Sequence, residues 1–380
     1  MLNFDVLIIG GGVTGCSIAY HLAKSGCTRV ALLEKGYLTS GATGRCGAGF
    51  RQQWGTRTNC LLAKHAVAKL EQLAEELDYP GGVEIKQEGY LILAYTPKME
   101  AQFKKNLALQ KSLGIGARWV TPREAREIVP FLNTGGLLGA TFYEKDGHAN
   151  PFKVTDAYAR AARRLGVEIH TYTPVQDIRL DGGIKTVVTP AGDFRAPVLV
   201  DAAGGHAAGI GRLVGLDLPV QAERHQILVT EPVEPALGPM VMCFYHNIYC
   251  QQSPHGSFIM GLGDPNEPRG YNTGSSWQFL MQMAEKAVRL LPVLKNARVV
   301  RQWAGVYDMS PDRQPVLGEV PELPGFYVAA GFSGHGFMIA PMTGQLMAEC
   351  ILGKPTSLPI DMFSLSRFST GELFIEPSVV

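Results

Sequence analysis

The chain has 380 residues, of which 46% are apolar and 18% charged, and its formal net charge is +1. At about 150 residues per domain the length allows two or three domains, or one interleaved pair. The apolar share excludes a disordered chain, and a charge so near zero gives no footing for nucleic acid or an anionic membrane.

The N-terminal "FDVLIIG" is a short run rich in Val and Ile, suited to a strand buried on both faces. It lacks a basic leader and breaks into glycines, so it reads as neither signal peptide nor membrane span. Gly10, Gly12 and Gly15 then satisfy GxGxxG, with Val13 and Thr14 between the last two. "CSIAYHLAKSG" follows with helical spacing, and "RVALLEK" gives a second strand ending in Glu34 and Lys35. Gly10 allows the tight turn, Gly12 lets backbone approach a pyrophosphate, and Gly15 lets helix and strand pack closely. The helix N-terminus faces phosphate, and Glu34 suits a ribose diol. The expectation is a dinucleotide site; the alternative is a glycine-rich turn in an ordinary α/β domain.

The next segment, "KGYLTSGATGRCGAGFRQQWG", is small-residue loop up to Gly49 and then presents Arg51. Such a loop suits backbone wrapped around a large flat ligand and favours FAD over NAD. "TPREAREIVPFL" predicts a short helix with Thr121 as N-cap and Glu124 completing a capping box. "VTDAYARAARRLG" predicts a helix, and "VEIHTYTPVQDIRL" and "LVDAAGG" predict strands of a mostly parallel sheet. "YLILAY", "RHQILVTEP", "NIYCQQ" and "SFIMGLG" alternate apolar and polar residues, as expected of a sheet with one covered face and one face over a ligand.

Near the C-terminus, Met342, Leu346, Met347, Cys350 and Ile351 share one helical face. They predict a helix from Pro341 to about Leu352, with Pro341 in the first turn and Gly353 as the stop. The preceding "GFSGHGF" would lie at that helix's N-terminus, where free N–H groups favour negative charge. The seven cysteines are scattered without zinc-like spacing, which predicts reduced thiols in a cytoplasmic enzyme and no metal site.

Together "VLIIGGGVTG…LLEK", "SGATGRCGAGFRQQWG", "VLVDAAGGHA" and "AGVYDMSPDRQPVLGEVPELPGFYVAAGFSGHGFMIAPMTG" resemble the D-amino-acid oxidase and sarcosine oxidase family of FAD enzymes. The likeness runs from residue 4 to about 373 and is strongest to the branch holding β subunits of heterotetrameric sarcosine oxidase and dye-linked L-proline dehydrogenase. It implies an α/β fold: a Rossmann-like FAD domain of the glutathione-reductase type, with an inserted α+β, mostly antiparallel substrate domain. The implied division is 1–85, 145–215 and 305–380 for FAD, and 86–144 and 216–304 for substrate.

The resemblance implies noncovalent FAD held by Gly10, Gly12, Val13, Thr14, Gly15, Glu34 and Lys35. It adds the loop Ser40, Gly41, Ala42, Thr43, Arg45, Cys46, Gly47, Ala48 and Gly49, then Val175, Ala203, Gly204 and Gly305. The last cofactor segment is Gly331, Gly334, His335, Gly336, Phe337 and Met338, with its helix dipole at the flavin end that gains negative charge on reduction.

It further implies oxidation of the C–N bond of a small amino or imino acid such as sarcosine, proline or hydroxyproline, by hydride transfer to flavin N5. Arg51 matches the family arginine near the flavin and suits a carboxylate or a flavin oxygen, the alternative being a surface or interdomain arginine. His225 and Tyr249, on strands expected over the flavin face, are candidates to touch substrate, and Tyr307 matches an aromatic near the flavin, with an ordinary packing role as the alternative for each. His335 is as well suited to a structural hydrogen bond as to a base. Gly305 stands where monomeric sarcosine oxidases carry a flavin-linked cysteine, and Met260 and Met338 stand where they carry lysines. These departures favour a β subunit working with an α-type partner and passing electrons onward. An FMN at the subunit interface is left open, with Lys153 in the matching segment. The competing expectations are a stand-alone glycine or D-amino-acid oxidase making peroxide, and a flavin-bearing relay subunit without turnover.

Overall fold

The computed structural model describes residues 2–377; residue 1 and residues 378–380, the ends of the first and last expected cofactor stretches, lie outside them. A six-stranded sheet runs in the order Val316–Glu319, Phe326–Ala330, Val198–Asp201, Val6–Ile9, Val30–Leu33, Glu168–His170. All neighbours are parallel except the first pair. The central strands are buried on both faces, as their unbroken apolar runs demand. One face is covered by the helices Val13–Lys24, Arg57–Glu76, Pro151–Arg164 and Gly336–Ile351. The other is covered by the short helix Ala207–Leu213 and a small four-stranded sheet.

That small sheet departs from the expected parallel continuation. "QDIRL" forms Asp177–Asp181, which pairs antiparallel with Ile184–Thr189 and not with the parallel sheet. The reason is local: Gly182 and Gly183 both take positive φ and turn the chain straight back.

An eight-stranded sheet holds Tyr90–Ala94, Arg118–Val120 and Gly139–Tyr143 together with the strands between Gln221 and Met309. Its alternating strands place Leu91, Leu93, Val241, Cys250 and Phe258 on one face, under the helices Pro122–Ile128 and Trp277–Leu290. The capping box at Thr121 and Glu124 is present as expected. All five residues of Tyr90–Ala94 are buried, so here the second face does not lie wholly over a ligand. Tyr90, Ile92 and Ala94 pack with Phe103 of the helix Pro97–Ser112.

The C-terminal helix starts at Gly336, five residues before the expected Pro341, which sits inside it. Pro341 leaves the helix without one backbone donor, but eleven of the helix's residues are buried and tertiary packing outweighs that loss. The earlier start moves the helix N-terminus into the "GFSGHGF" segment itself. The two glycine-led helices, 13–24 and 336–351, touch where Gly344 meets Ser17. A Cβ on Gly344 would lie 2.7 Å from the Ser17 carbonyl carbon. No helix of the described residues is long and apolar enough to cross a membrane.

Gly344→Ala is therefore expected to cost about 1–3 kcal/mol, because two helix backbones must separate. Urea unfolding of the two proteins checks this, and equal midpoints would contradict it.

Candidate active site

Register decides which loops meet. Ile9 pairs with both Leu33 and Asp201, and Asp201 pairs with Val328. These strands therefore end together, and Gly10, Glu34, Ala202 and the 331–336 segment all emerge at one edge, where open α/β sheets bind ligands. A cavity of about 550 Å³ opens there and extends under the eight-stranded sheet.

At its nucleotide end, Gly10 has φ +119° and its Cβ would fall 2.7 Å from the Ala202 carbonyl carbon, so only glycine fits. The helix behind it starts at Gly12 without a side-chain cap, and Thr43 Oγ1 accepts from Val13 N at 3.1 Å. Glu34 is buried; its Oε2 accepts from Gly11 N at 2.7 Å, and its Oε1 accepts from Gly36 N at 2.7 Å and Ser40 Oγ at 3.1 Å. The expected ribose acceptor thus also ties the small-residue loop to the glycine turn. Lys35 Nζ lies 2.6 Å from His206 Nε2, and His206 stacks on Tyr271 at 4.1 Å.

The loop bridges the two large sheets. Trp303 Nε1 donates to Arg45 O at 3.0 Å, Gln251 Nε2 to Gly47 O at 2.7 Å, and Arg45 Nη1 to Ala304 O at 3.3 Å. Gly305 faces Arg45, whose Cβ would stand 3.3 Å from any Cβ there.

At the far end three rings lie nearly parallel. His225 stacks on Tyr307 at 4.4 Å and 11°, and on Tyr249 at 5.9 Å and 6°. Glycines make room for them: a Cβ on Gly334, itself at φ +93°, would come within 2.6 Å of the Tyr307 ring, and a Cβ on Gly261 would overlap Tyr249. Burial pushes the Tyr249 and Tyr307 hydroxyls up and pulls His225 down to about 4 and His335 to about 3, with Arg51 adding to the latter. Both histidines are thus neutral near pH 7. His225 Nε2 and His335 Nε2 are buried with no protein partner, which suits a polar ligand in the cavity. Arg51 lines the same cavity, buried, with its guanidinium 3.8 Å over the Trp54 ring and Nη1 donating to Gln53 O at 2.7 Å.

The cavity gathers every residue singled out from the sequence for cofactor or substrate except three. Gly15 backs onto Gly10, where any side chain would strike the Gly10 carbonyl. Val175 packs against the core on the other side of the sheet. Gly331 shapes the turn behind the wall, its N–H donating to Asp308 Oδ2 at 2.8 Å. Sequence reasoning did not single out Trp54, Tyr90, Met240, Phe244, Tyr271 or Asp308, which also line the cavity. Trp54, Tyr90 and Asp308 lie inside "SGATGRCGAGFRQQWG", "YLILAY" and "AGVYDMSPD" and were within reach; Met240 and Phe244 carry no local pattern.

Residues 5–350 match the family described as "DAO: FAD dependent oxidoreductase". The chain belongs to this family. It is 31% identical to the sarcosine oxidase subunit beta of Rhodobacter capsulatus over 99% of this chain and 91% of that one. It is 32% identical to the glycine oxidase of Geobacillus kaustophilus over 96% of this chain and 97% of that one. Its structure matches that of L-proline dehydrogenase from P. horikoshii with TM-score 0.93 and 34% identity, over 98% and 100% of the two chains. The chain is an FAD-dependent oxidoreductase, and the cavity fits the group: glycine turns that no Cβ can enter, two helix N-termini in its lining and two buried imidazole nitrogens without a protein partner.

Asp201, whose strand end starts one wall, is fully buried, with Oδ1 accepting from Ala203 N at 3.0 Å and Oδ2 without a partner. Burial, reinforced by Asp308, pushes it up to about 8. Its ionisation is thus easier in the unfolded chain, and stability present at low pH is lost as pH rises toward 8. Asp201→Asn is expected to gain on the parent in urea midpoint steadily from about pH 4 to about pH 8; a gap that does not change with pH would contradict this.

Proposed function

We propose that the chain oxidises the C–N bond of a small amino or imino acid (sarcosine, proline, hydroxyproline or a close analogue) as the β-type subunit of a hetero-oligomer. The observation that carries this reading is one buried guanidinium, Arg51, and the neutral stack of His225, Tyr249 and Tyr307 in the lining of a single cavity. When bound, the flavin supplies the two-electron acceptor, at N5. Arg51 grips the substrate carboxylate with paired donors, held flat by Trp54. The aromatic stack excludes water from the amine and, carrying no charge, favours its neutral form. The start of the 336–351 helix offers N–H groups toward the end of the flavin that becomes anionic.

The 216–304 and 86–144 segments form the substrate-side sheet in this reading, and 1–85, 145–215 and 305–380 carry the cofactor. FAD is held noncovalently, since Gly305 presents no nucleophile. The β-subunit role draws on the likeness to sarcosine oxidase subunit beta, as does transfer of electrons to an interface FMN beside Lys153 or to another carrier. A cytoplasmic location accords with seven free thiols. A stand-alone oxidase is the second reading, favoured by 32% identity to a glycine oxidase; it predicts peroxide from this chain alone.

The test is anaerobic reduction of the flavin-loaded protein by a panel of amines and hydroxy acids, with and without a co-expressed partner. Bleaching by one or more secondary or primary amino acids is expected, and bleaching by none, even with the partner, would leave only a relay role. With the best substrate, Arg51→Met is expected to raise KM about 10- to 100-fold, the loss of a charge-assisted pair. An unchanged KM would remove Arg51 from carboxylate binding.

A further inference from the structure

The C-terminal segment is tied down twice, to two segments that adjoin cavity-lining residues. Arg367, buried in the short helix Arg367–Thr370, forks onto Asp312 at 2.7 and 3.0 Å and also donates to Gln314 O at 2.9 Å. Asp312 Oδ2 in turn accepts from Phe374 N at 3.3 Å. This first anchor lies in the turn that follows Tyr307 and Asp308, where Ser310 Oγ donates to Asp312 Oδ1 and Gln314 O.

The second anchor is Glu376, 2% exposed. Its Oε1 accepts from Gly55 N at 2.8 Å, and its Oε2 accepts from Thr56 Oγ1 at 2.7 Å and Asn59 Nδ2 at 2.9 Å. Thr56 precedes the helix Arg57–Glu76 and gives it no side-chain cap of its own, so a carboxylate from 320 residues away complements that helix end. Gly55 is shaped for the contact: a Cβ there would lie 2.5 Å from Pro377 Cγ and 2.7 Å from Glu376 Oε1. Asn59 Nδ2 also donates to Gln314 Oε1 at 3.1 Å, which links the two anchors directly. Arg51 stands four residues before Gly55, with Trp54 Nε1 donating to its carbonyl at 3.0 Å. Burial lowers the Arg51 guanidinium, and Glu376 is the first charge that opposes this.

We propose that the C-terminal segment is a strap and Glu376 a positioning residue. Its carboxylate fixes the Arg51–Thr56 turn against the turn after Tyr307, setting the spacing of Arg51 and Tyr307 across the cavity. The consequence for turnover rests on Arg51 binding the substrate carboxylate; the consequence for the turn does not.

The test compares the parent full chain with Glu376→Gln, Glu376→Asp and Gly55→Ala, loaded with flavin. Glu376→Gln is expected to speed amide exchange at Gly55 and its neighbours about tenfold while the 13–24 helix keeps its protection. It is expected to raise KM about tenfold with kcat within about twofold, and Glu376→Asp to recover part of the loss. Should Glu376→Gln fail to fold, Gly55→Ala strikes the same contact from the other side and is read by the same criteria. Unchanged exchange at Gly55 would overturn the proposal, as would faster exchange with KM unmoved, the mark of a tail that serves stability alone. If no amine reduces the parent, the functional reading fails, and the exchange result by itself decides the strap.

Discussion

The cavity depends on backbone packed more closely than any side chain permits, near both ends of the chain. Gly10 sits against the Ala202 carbonyl, and Gly334 against the Tyr307 ring. Each opens onto a helix start without a side-chain cap. Two helix N-termini therefore line one cavity, and their dipoles favour negative charge within it. The parallel sheet makes this happen: its shared register brings the ends of distant strands to one edge, with helices on one face and a short helix and the four-stranded sheet on the other.

The second constraint is desolvation. The end of the cavity lined by Arg51, His225, Tyr249 and Tyr307 combines a fixed cation with rings that carry no charge at neutral pH. Burial holds His225 and His335 neutral and keeps the tyrosine hydroxyls protonated. Arg51 stays in place because its surroundings hold it, through Trp54, the Gln53 carbonyl and the charges of Glu376 and Asp146 nearby. Electrostatics in such a site depend on geometry more than on composition, since each group interacts through little water. The loop 36–49 matters for the same reason: by bonding to Trp303 and Gln251, and through Ser40 to Glu34, it locks the eight-stranded sheet to the six-stranded one.

The nucleotide end was legible in the residues themselves, because strand, glycine turn, helix and terminal acid follow one another within a single stretch. The capping box at Thr121 was equally local. The start of the last helix was not: glycines at 334 and 336 and a proline at 341 argue for a later start, and only burial of its apolar face reverses that. The hairpin at 182–183 was missed because the extended run was read only to Leu180 and assigned to the parallel sheet, while the two glycines just beyond it turn the chain back. Phe244, Met240 and Tyr271 reach the cavity by sheet geometry and loop path, which leave no periodic trace. Glu376 shows the limit most clearly, since nothing near it in sequence points to Gly55 or Arg51.

The most direct measurement is reconstitution of the apoprotein with FAD, followed by denaturation. One flavin should bind per chain, and unfolding should return all of it to solution, because the cradle is backbone and Gly305 offers no bond. A chain that stays colourless after reconstitution, or a flavin that remains attached to the unfolded polypeptide, would contradict the account.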